Sequence, residues 1–234
     1  AQTGKNGNGW KYQYASTTIR GFQQTHQCSP WMGDYNVFSI MPVINRLEVD
    51  ENKRASAFSH NNEIAKPHYY RVKFDNGVVT EMSPTTRCAH LRFSFPYSQK
   101  AYLVLDGYTK IDVEKRRITG YVNNGKWAPE SFKAFFVVQF DKPFVSCGTW
   151  ENKQNTIKEG NVADEGKGVG AYIEFSKGVK VEARVTSSYI SVEQAELTLN
   201  TELGRFTCLE DTKRNAFQEW NNLFNRILVE GGSE

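Results

Sequence analysis

Several features that would assign a function directly are missing from these 234 residues. No apolar run approaches the roughly 18 residues that a membrane-spanning helix needs, so no segment is predicted to span a bilayer. The net charge of +3 is too small to argue for nucleic acid or an anionic membrane as a partner. Gly166, Gly168 and Gly170 do not form a dinucleotide-binding fingerprint, because no helical pattern follows them.

Cysteine and histidine form none of the patterns that are typical of catalytic or metal sites. Cys28, Cys88, Cys147 and Cys208 are far apart and lack metal-like spacing. The four cysteines could form two disulfides or remain as four buried thiols, and the thiols are favoured. The histidines have no Gly-x-Ser-x-Gly or Cys–His context that would indicate a nucleophile.

Aromatic residues, by contrast, are abundant. The chain has 15 Phe, 11 Tyr and 5 Trp, and these residues suit β-sheet faces and carbohydrate clefts equally well. Alternating runs recur along the chain, and turn signals such as Asn76-Gly77 separate them at intervals of roughly 8–12 residues. Because no helical crossovers lie between the runs, a parallel α/β fold is excluded. The sequence therefore predicts a mainly β fold, a large antiparallel β-sandwich over residues 1–190.

The boundaries of the predicted elements follow from the alternation and the turns. Residues 50–62 are polar and residues 160–170 are rich in glycine and charge, so both are predicted to be loops. The predicted strands are 10–14, 18–22, 37–43, 69–74, 78–82, 87–95, 101–106, 110–114, 117–123, 133–140, 172–175 and 180–188.

Only residues 191–234 show helical patterns. Ser191 and Gln194 form a capping-box pattern that opens a helix to about residue 203, and Gly204 ends it. Asp211 or Thr212 is predicted to cap a second helix that reaches about residue 226. That helix carries a wide apolar stripe, which must lie against the sandwich or against something outside this chain; its members are Ala216, Phe217, Trp220, Leu223, Phe224 and Ile227.

Residues 22–35 (FQQTHQCSPWMGDY) have a composition that neither a helix nor a strand favours. Pro30 fixes its own φ, and Gly33 and Asp34 supply turn chemistry. Trp31 on such a loop presents a flat apolar face beside amide and acidic groups, which is what a sugar ring requires. The alternative is that Trp31 plugs the rim of a β core.

This segment also carries a family resemblance. Residues 21–27 and 29–35, followed by Phe38, Met41 and Pro42, resemble the signature GFxQTHQPSPWxGDYGxFxxMP of the N-terminal domain of glycoside hydrolase family 92. Cys28 and Asn36 depart from it, because they stand where proline and glycine are usual. Three further segments resemble family sequence motifs, and they extend the resemblance over nearly the whole chain; they are residues 59–72, 87–96 and 188–232.

The resemblance implies a parent enzyme that is a calcium-dependent, inverting exo-α-mannosidase, with α-1,2 as the favoured linkage. Such an enzyme releases terminal mannose from mannans or N-glycans and is secreted, periplasmic or bound to the cell surface. Its catalytic acid, catalytic base and calcium ligands would lie in an (α/α)6 barrel after Glu234. A first strand is expected before Ala1, and residues 191–234 would be the helical linker to the barrel.

No catalytic residue and no metal ligand is therefore predicted within this chain. An inverting glycosidase needs two carboxyl groups roughly 6.5–9.5 Å apart, and no such pair stands out. Glu63, Glu193 and Glu196 are interpreted as surface or helix-cap charges.

The resemblance instead implies that this chain contributes to the wall of the substrate pocket. Trp31 would be the apolar platform, Asp34 a hydroxyl acceptor or an orienter of the loop, and His26 and Gln27 hydrogen-bonding neighbours. A second loop would bring backbone amides to sugar oxygens; it consists of Cys147, Gly148, Thr149 and Trp150. Two structural alternatives stay open: His26 could donate a hydrogen bond to a buried carbonyl group, and Trp150 could belong to the core.

Two other functions are compatible with the sequence. The chain could be a stand-alone carbohydrate-binding β-sandwich module, which needs an exposed aromatic platform and measurable glycan affinity without a partner. It could also be a purely structural sandwich that supports a neighbouring domain.

Overall fold

The computed structural model describes residues 2–3, 12–23, 38–123, 129–152, 156–166, 168–228 and 230–232. Within these ranges the chain forms β-strands followed by two α-helices. The strands are β1 (Gln2–Thr3), β2 (Thr18–Gln23), β3 (Ser39–Ile44), β4 (Ser56–Lys66), β5 (Tyr69–Phe74), β6 (Val79–Pro84), β7 (Cys88–Ser94), β8 (Ala101–Asp106), β9 (Tyr108–Asp112), β10 (Arg117–Asn123), β11 (Lys133–Phe140), β12 (Ser146–Glu151), β13 (Thr156–Glu159), β14 (Ala163–Asp164), β15 (Val169–Phe175) and β16 (Lys180–Ser188). The helices are α1 (Val192–Leu203) and α2 (Leu209–Phe224). Neither helix is long and apolar enough to cross a membrane.

The strands form two antiparallel layers. One layer has the order β13-β12-β15-β8-β3-β2, and the other has the order β4-β5-β6-β7-β16-β11-β10-β9-β14. Strand β2 joins the layers, because it pairs with β3 on one side and through Thr18 and Ile19 with β4 on the other. Every strand pairing of the described residues is antiparallel. The two layers therefore make the β-sandwich that the alternating pattern predicts.

A single large apolar core lies between the layers. Phe38, directly before β3, packs on Phe136 of β11 with ring centroids 4.3 Å apart. Phe140 of β11 and Phe175 of β15 meet with centroids 5.6 Å apart. All four side chains are at most 2% exposed, so burial of large aromatic side chains holds the layers together.

The two helices lie on the outer face of the second layer. Helix α1 begins as predicted, because the Ser191 hydroxyl accepts a hydrogen bond from the Gln194 amide at 3.1 Å. Its buried face, including Ala195 and Leu199, forms a second apolar cluster with Val137 of β11. Helix α2 buries only its first half against the sheet, through Leu209, Thr212 and Ala216.

The strong alternating runs are predicted accurately. Five strands have the predicted bounds: 69–74, 101–106, 117–123, 133–140 and 180–188. Cys88, Cys147 and Cys208 are free thiols, whereas Cys28 lies outside the described residues.

The polar segments are where the predictions are wrong. Residues 12–14 are not a strand, and residues 56–62 belong to strand β4 rather than to a loop. Strand β4 escapes the pattern because Phe58 is its only fully buried residue, so backbone hydrogen bonds rather than apolar burial hold it in the sheet. Strand β14 and the start of β15 likewise lie within the predicted loop 160–170.

The start of helix α2 also differs from the prediction. The helix begins at Leu209 with Cys208 in the N-cap position, three residues before the predicted cap at Asp211. The Asp211 carboxylate reaches back instead, accepting hydrogen bonds from the Thr207 amide at 3.2 Å and the Thr207 hydroxyl at 2.8 Å. An acidic residue in the first turn interacts favourably with the free amides there, so sequence alone does not separate it from the cap itself.

Candidate functional site

A cavity of about 320 Å³ opens between the two layers at one end of the sandwich. Its floor is apolar, with the buried side chains of Phe22 and Ile40 from the first layer facing Leu91 and Val185 from the second. Its rim carries Lys66 and the β6–β7 turn with Thr85, Thr86 and Arg87, all from the second layer. An apolar floor with a few polar groups at the rim is the arrangement expected of a small-molecule site.

Helix α1 holds the rim at the β6–β7 turn. The Glu202 carboxylate accepts hydrogen bonds from the Thr85 hydroxyl at 2.6 Å and from the Arg87 amide at 2.9 Å. The Arg87 guanidinium lies 3.3 Å from the same carboxylate. Burial raises the pKa of Glu202, but these hydrogen bonds outweigh it and the pKa falls below its ordinary value.

Tyr70 lines the cavity, and its hydroxyl belongs to a network of hydrogen bonds around Glu63. The Tyr70 hydroxyl donates to the Glu63 carboxylate at 2.5 Å, and the Tyr12 hydroxyl donates to it at 2.9 Å. The His60 Nδ1 is 2.7 Å from Glu63, and the His60 Nε2 is 2.7 Å from the Tyr14 carbonyl oxygen. The Glu63 side chain is only 7% exposed. The interpretation of Glu63 as a surface charge is therefore wrong.

The network favours an ionised Glu63 and a protonated His60. Both ring nitrogens of His60 face oxygen acceptors, so both are best satisfied as donors. The hydrogen bond to Glu63 raises the pKa of His60. Burial raises the pKa of Glu63, but the hydrogen bonds from Tyr70, His60 and Tyr12 together lower it below its ordinary value.

The predicted site residues His26, Gln27, Trp31 and Asp34 lie outside the described residues. The structure does describe the residues that flank their segment. Gln23, the last residue of β2, and Phe38, directly before β3, both line the cavity.

The prediction that residues 147–150 form a loop is wrong. Cys147, Gly148, Thr149 and Trp150 lie on β12, which pairs with β13 on one side and with β15 on the other. Thr149 is completely buried, and Trp150 is 3% exposed and donates its indole N–H to the Ala171 carbonyl at 3.2 Å. Of the two alternatives for Trp150, the core position is the observed one, and none of these four residues lines the cavity.

The described lining of the cavity carries no carboxyl group. The described residues also contain no group of three or more His, Cys, Asp or Glu side chains arranged to hold a metal ion. The described residues of the cavity therefore do not fit a calcium site. The described lining is suited to binding and shaping a ligand rather than to acid–base chemistry.

The apolar stripe of α2 projects from the same end of the molecule. Phe217 meets His68 of the β4–β5 turn edge-on at 5.0 Å, and Trp220 stacks on Phe224 at 5.3 Å. Trp220 is 37% exposed, Leu223 50% and Phe224 56%. The sandwich therefore covers the stripe at Ala216 and leaves Trp220, Leu223 and Phe224 exposed.

A row of half-buried aromatic side chains crosses β9, β10 and β11. Tyr108 stacks on Tyr121 with ring centroids 4.3 Å apart, and Phe135 follows at 6.0 Å. The Lys133 ammonium lies 4.0 Å from the Tyr121 ring centroid. Tyr121 therefore uses its ring faces within the protein, which leaves this row poorly suited as a flat platform for sugars.

Fold and site together define a class: a large antiparallel β-sandwich with a cavity at one end and two helices packed on its second layer. A family model for the glycosyl hydrolase family 92 N-terminal domain matches residues 1–188. The chain therefore belongs to the N-terminal domain family of the family 92 glycosyl hydrolases.

Solved structures and a curated relative agree with this assignment. The chain is similar to an inverting mannosidase of family GH92 from Bacteroides thetaiotaomicron, with 35% identity and a TM-score of 0.90 over 99% of this chain and 32% of that one. A family GH92 α-mannosidase from the same organism, solved with mannoimidazole, shares the fold at 22% identity and a TM-score of 0.81, over 94% of this chain and 32% of that one.

A relative from Arthroderma benhamiae, described as an uncharacterized secreted glycosidase, is 24% identical over 92% of this chain and 33% of its own length. The chain thus spans about a third of the length of the relatives it matches.

Proposed function

We propose that this chain is the part of an exo-α-mannosidase that contributes to the wall of the pocket for the terminal mannose. Trp31 is the platform for the sugar ring, Asp34 accepts a hydroxyl or orients the loop, and His26 and Gln27 are hydrogen-bonding neighbours. The acid, the base and a calcium ion belong to a helical catalytic domain elsewhere in the parent enzyme. The enzyme acts on mannans or N-glycans outside the cytoplasm, with inversion and with α-1,2 as the favoured linkage.

One observation carries this proposal. Gln23 and Phe38, the described residues on either side of most of the family signature, both line the same end cavity. The exposed part of the α2 stripe begins at Phe217, beside the β4–β5 turn at that end. A domain that covered these side chains would also lie near the end cavity, whose lining would then be at the seam between two domains. Sites between domains are common for small ligands.

Replacement of Trp31 in the full-length enzyme tests the proposal. Trp31→Ala should lower kcat/KM on α-1,2-linked mannobiose about tenfold, equivalent to about 1.4 kcal/mol, with little change in Tm. Trp127→Ala removes an indole outside the signature segment and serves as the control, with unchanged kinetics. Equal kinetics for Trp31→Ala and the wild type would instead support a structural role for the sandwich.

The finer parts of the proposal need separate measurements on the full-length enzyme. A panel of α-1,2-, α-1,3-, α-1,4- and α-1,6-linked mannobioses tests the linkage, and proton NMR of the first product tests inversion. Chelation of calcium should abolish turnover.

This chain without the rest of the enzyme should show no turnover on mannobiose. Turnover by the chain alone would contradict the proposal that the catalytic groups lie in another domain. If calorimetry showed that the chain alone binds mannose with a Kd of about 1 mM or lower, the carbohydrate-binding module would be the better description.

A further inference from the structure

A second cavity, of about 230 Å³, lies on the outer face of the second layer below the α1–α2 connection. It shares no lining residue with the first cavity. We propose that it binds a small oxyanion, such as the carboxylate or phosphate group of a small metabolite, through the guanidinium groups of Arg116 and Arg184.

Arg116 reaches this cavity from an unusual backbone position in the β9–β10 turn. Its φ is 52°, and among the described non-glycine residues only Asn45 shares a positive φ. The left-handed region costs roughly 1–2 kcal/mol for a residue with a Cβ, so glycine would be favoured here. The Arg116 guanidinium is held by one hydrogen bond at 2.7 Å to the Asp141 carbonyl oxygen.

Arg184 of β16 also lines this cavity. Its guanidinium donates to the Phe206 carbonyl oxygen at 2.6 Å. Each of the two arginines is thus held by a main-chain carbonyl, and neither forms an ion pair with a carboxylate of the described residues. The adjacent Arg117, by contrast, contacts Glu196 at 2.5 Å and is neutralised.

The acidic groups of the cavity already have donors of their own. Glu182 accepts from His90 at 3.0 Å and from the Leu209 amide at 3.1 Å. Asp141 accepts from the Glu182 amide at 2.8 Å and lies 3.0 Å from the Lys142 ammonium. The guanidinium groups of Arg116 and Arg184 therefore line the cavity without a direct carboxylate partner among the described residues.

The remaining walls favour a small anion over other ligands. His90 is 1% exposed and has both ring nitrogens engaged, with Glu182 and with the Thr212 hydroxyl at 3.0 Å, so it serves only as wall. The volume is several times the roughly 30 Å³ of one water molecule, which admits an oxyanion with a small organic part but not a polymer. Guanidinium forks match the geometry of carboxylate and phosphate oxygens.

Calorimetric titration of the full-length protein with inorganic phosphate tests the proposal. Ionic strength is held constant with chloride, because screening alone changes the binding of anions. We expect saturable binding with a Kd of about 1 mM or lower in the wild type. Parallel titrations with sulfate and acetate separate a preference for tetrahedral oxyanions from one for planar carboxylates.

Arg116→Gly is the decisive variant. Glycine accepts the φ of 52°, so the turn should fold as well as in the wild type while the guanidinium is lost. Arg116→Gly and Arg184→Gln should each weaken binding about tenfold or more, since each removes charge-assisted hydrogen bonds. Lys115→Gln removes the same charge from the same turn, at a side chain that is 67% exposed and outside the cavity, and should bind as the wild type does.

Two outcomes would overturn the proposal. One is the lack of saturable binding of phosphate, sulfate and acetate to the wild type. The other is equal weakening by Lys115→Gln and Arg116→Gly, which would mean that net charge rather than the cavity attracts the anion. Neither outcome depends on mannosidase activity.

Discussion

Single residues near the end cavity are tied together through Glu63. Its carboxylate accepts hydrogen bonds from Tyr12 and Tyr70 and pairs with His60, so one buried acid links β4, β5 and the segment before β2. Tyr70 is also part of the cavity wall. The position of that wall therefore depends on the charge of a group that is itself nearly inaccessible to solvent.

The stability of the fold should depend on pH through Glu63 and His60. The pKa of Glu63 is lowered, so its ionised form stabilises the fold above its ordinary pKa of 4.5, and this contribution is lost as pH falls through the folded pKa. The pKa of His60 is raised, so its contribution is complete below its unfolded pKa of about 6.5 and is lost as pH rises through the folded pKa. The pair should therefore stabilise the fold most between about pH 4.5 and about pH 6.5.

Glu63→Gln tests this in urea unfolding of the full-length protein. The variant should lower the free energy of unfolding by only about 1 kcal/mol near pH 5.5, because solvent partly screens the pair. The loss should be smaller near pH 9, because the charge of His60 is lost as pH rises. Glu51→Gln removes a 46% exposed carboxylate that pairs with Arg20, and its effect should not change over this window. A pH-independent loss in Glu63→Gln would show that the hydrogen bonds matter and the charge of His60 does not.

At the scale of elements, the first layer is held together by strands that approach one another closely. Gly170 of β15 lies against Trp150 of β12 and against the backbone of β8, where a Cβ would be 2.3 Å from the indole and 2.1 Å from the Leu105 carbonyl oxygen. This approach explains why β12 is a core strand. Its amides are used in pairing and its indole fills the space that glycine leaves.

The element-scale prediction follows from this contact. Gly170→Ala should destabilise the protein by about 3 kcal/mol or more, since backbone and a buried indole must both move. Gly160→Ala has no atom within 4 Å of the added Cβ and a φ of +72°, so it should cost only about 1 kcal/mol. Thermal and urea unfolding measure both. Equal losses for the two variants would mean that backbone conformation rather than packing sets the cost.

At the scale of the whole molecule, α2 leaves a strip of large apolar side chains uncovered. Leu223, Phe224 and Ile227 are 50%, 56% and 78% exposed. Contiguous exposed apolar surface of this kind marks interaction sites in soluble proteins. The catalytic domain of the proposed parent enzyme would be the partner that covers it.

Leu223→Asp in the full-length protein tests this arrangement. If another domain covers Leu223, the charge should lower the free energy of unfolding by about 1.5–3 kcal/mol and reduce kcat/KM on mannobiose. Asn222→Asp adds the same charge at the neighbouring, exposed position and should change either quantity little. An equally small effect of both variants would mean that the stripe stays in solvent.

The sequence by itself determined the sandwich, the start of α1 and the family, because alternation, the Ser191 cap and the signature are local patterns. It did not determine strand β4, whose polar residues join the sheet through their backbones, or the core position of Trp150, which depends on the glycine opposite it on β15. Only the tertiary structure brought Glu63 to Tyr12, 51 positions away, and placed Arg116 and Arg184 around one cavity. Contacts between distant positions depend on how strands pair and layers stack, and no local pattern encodes that.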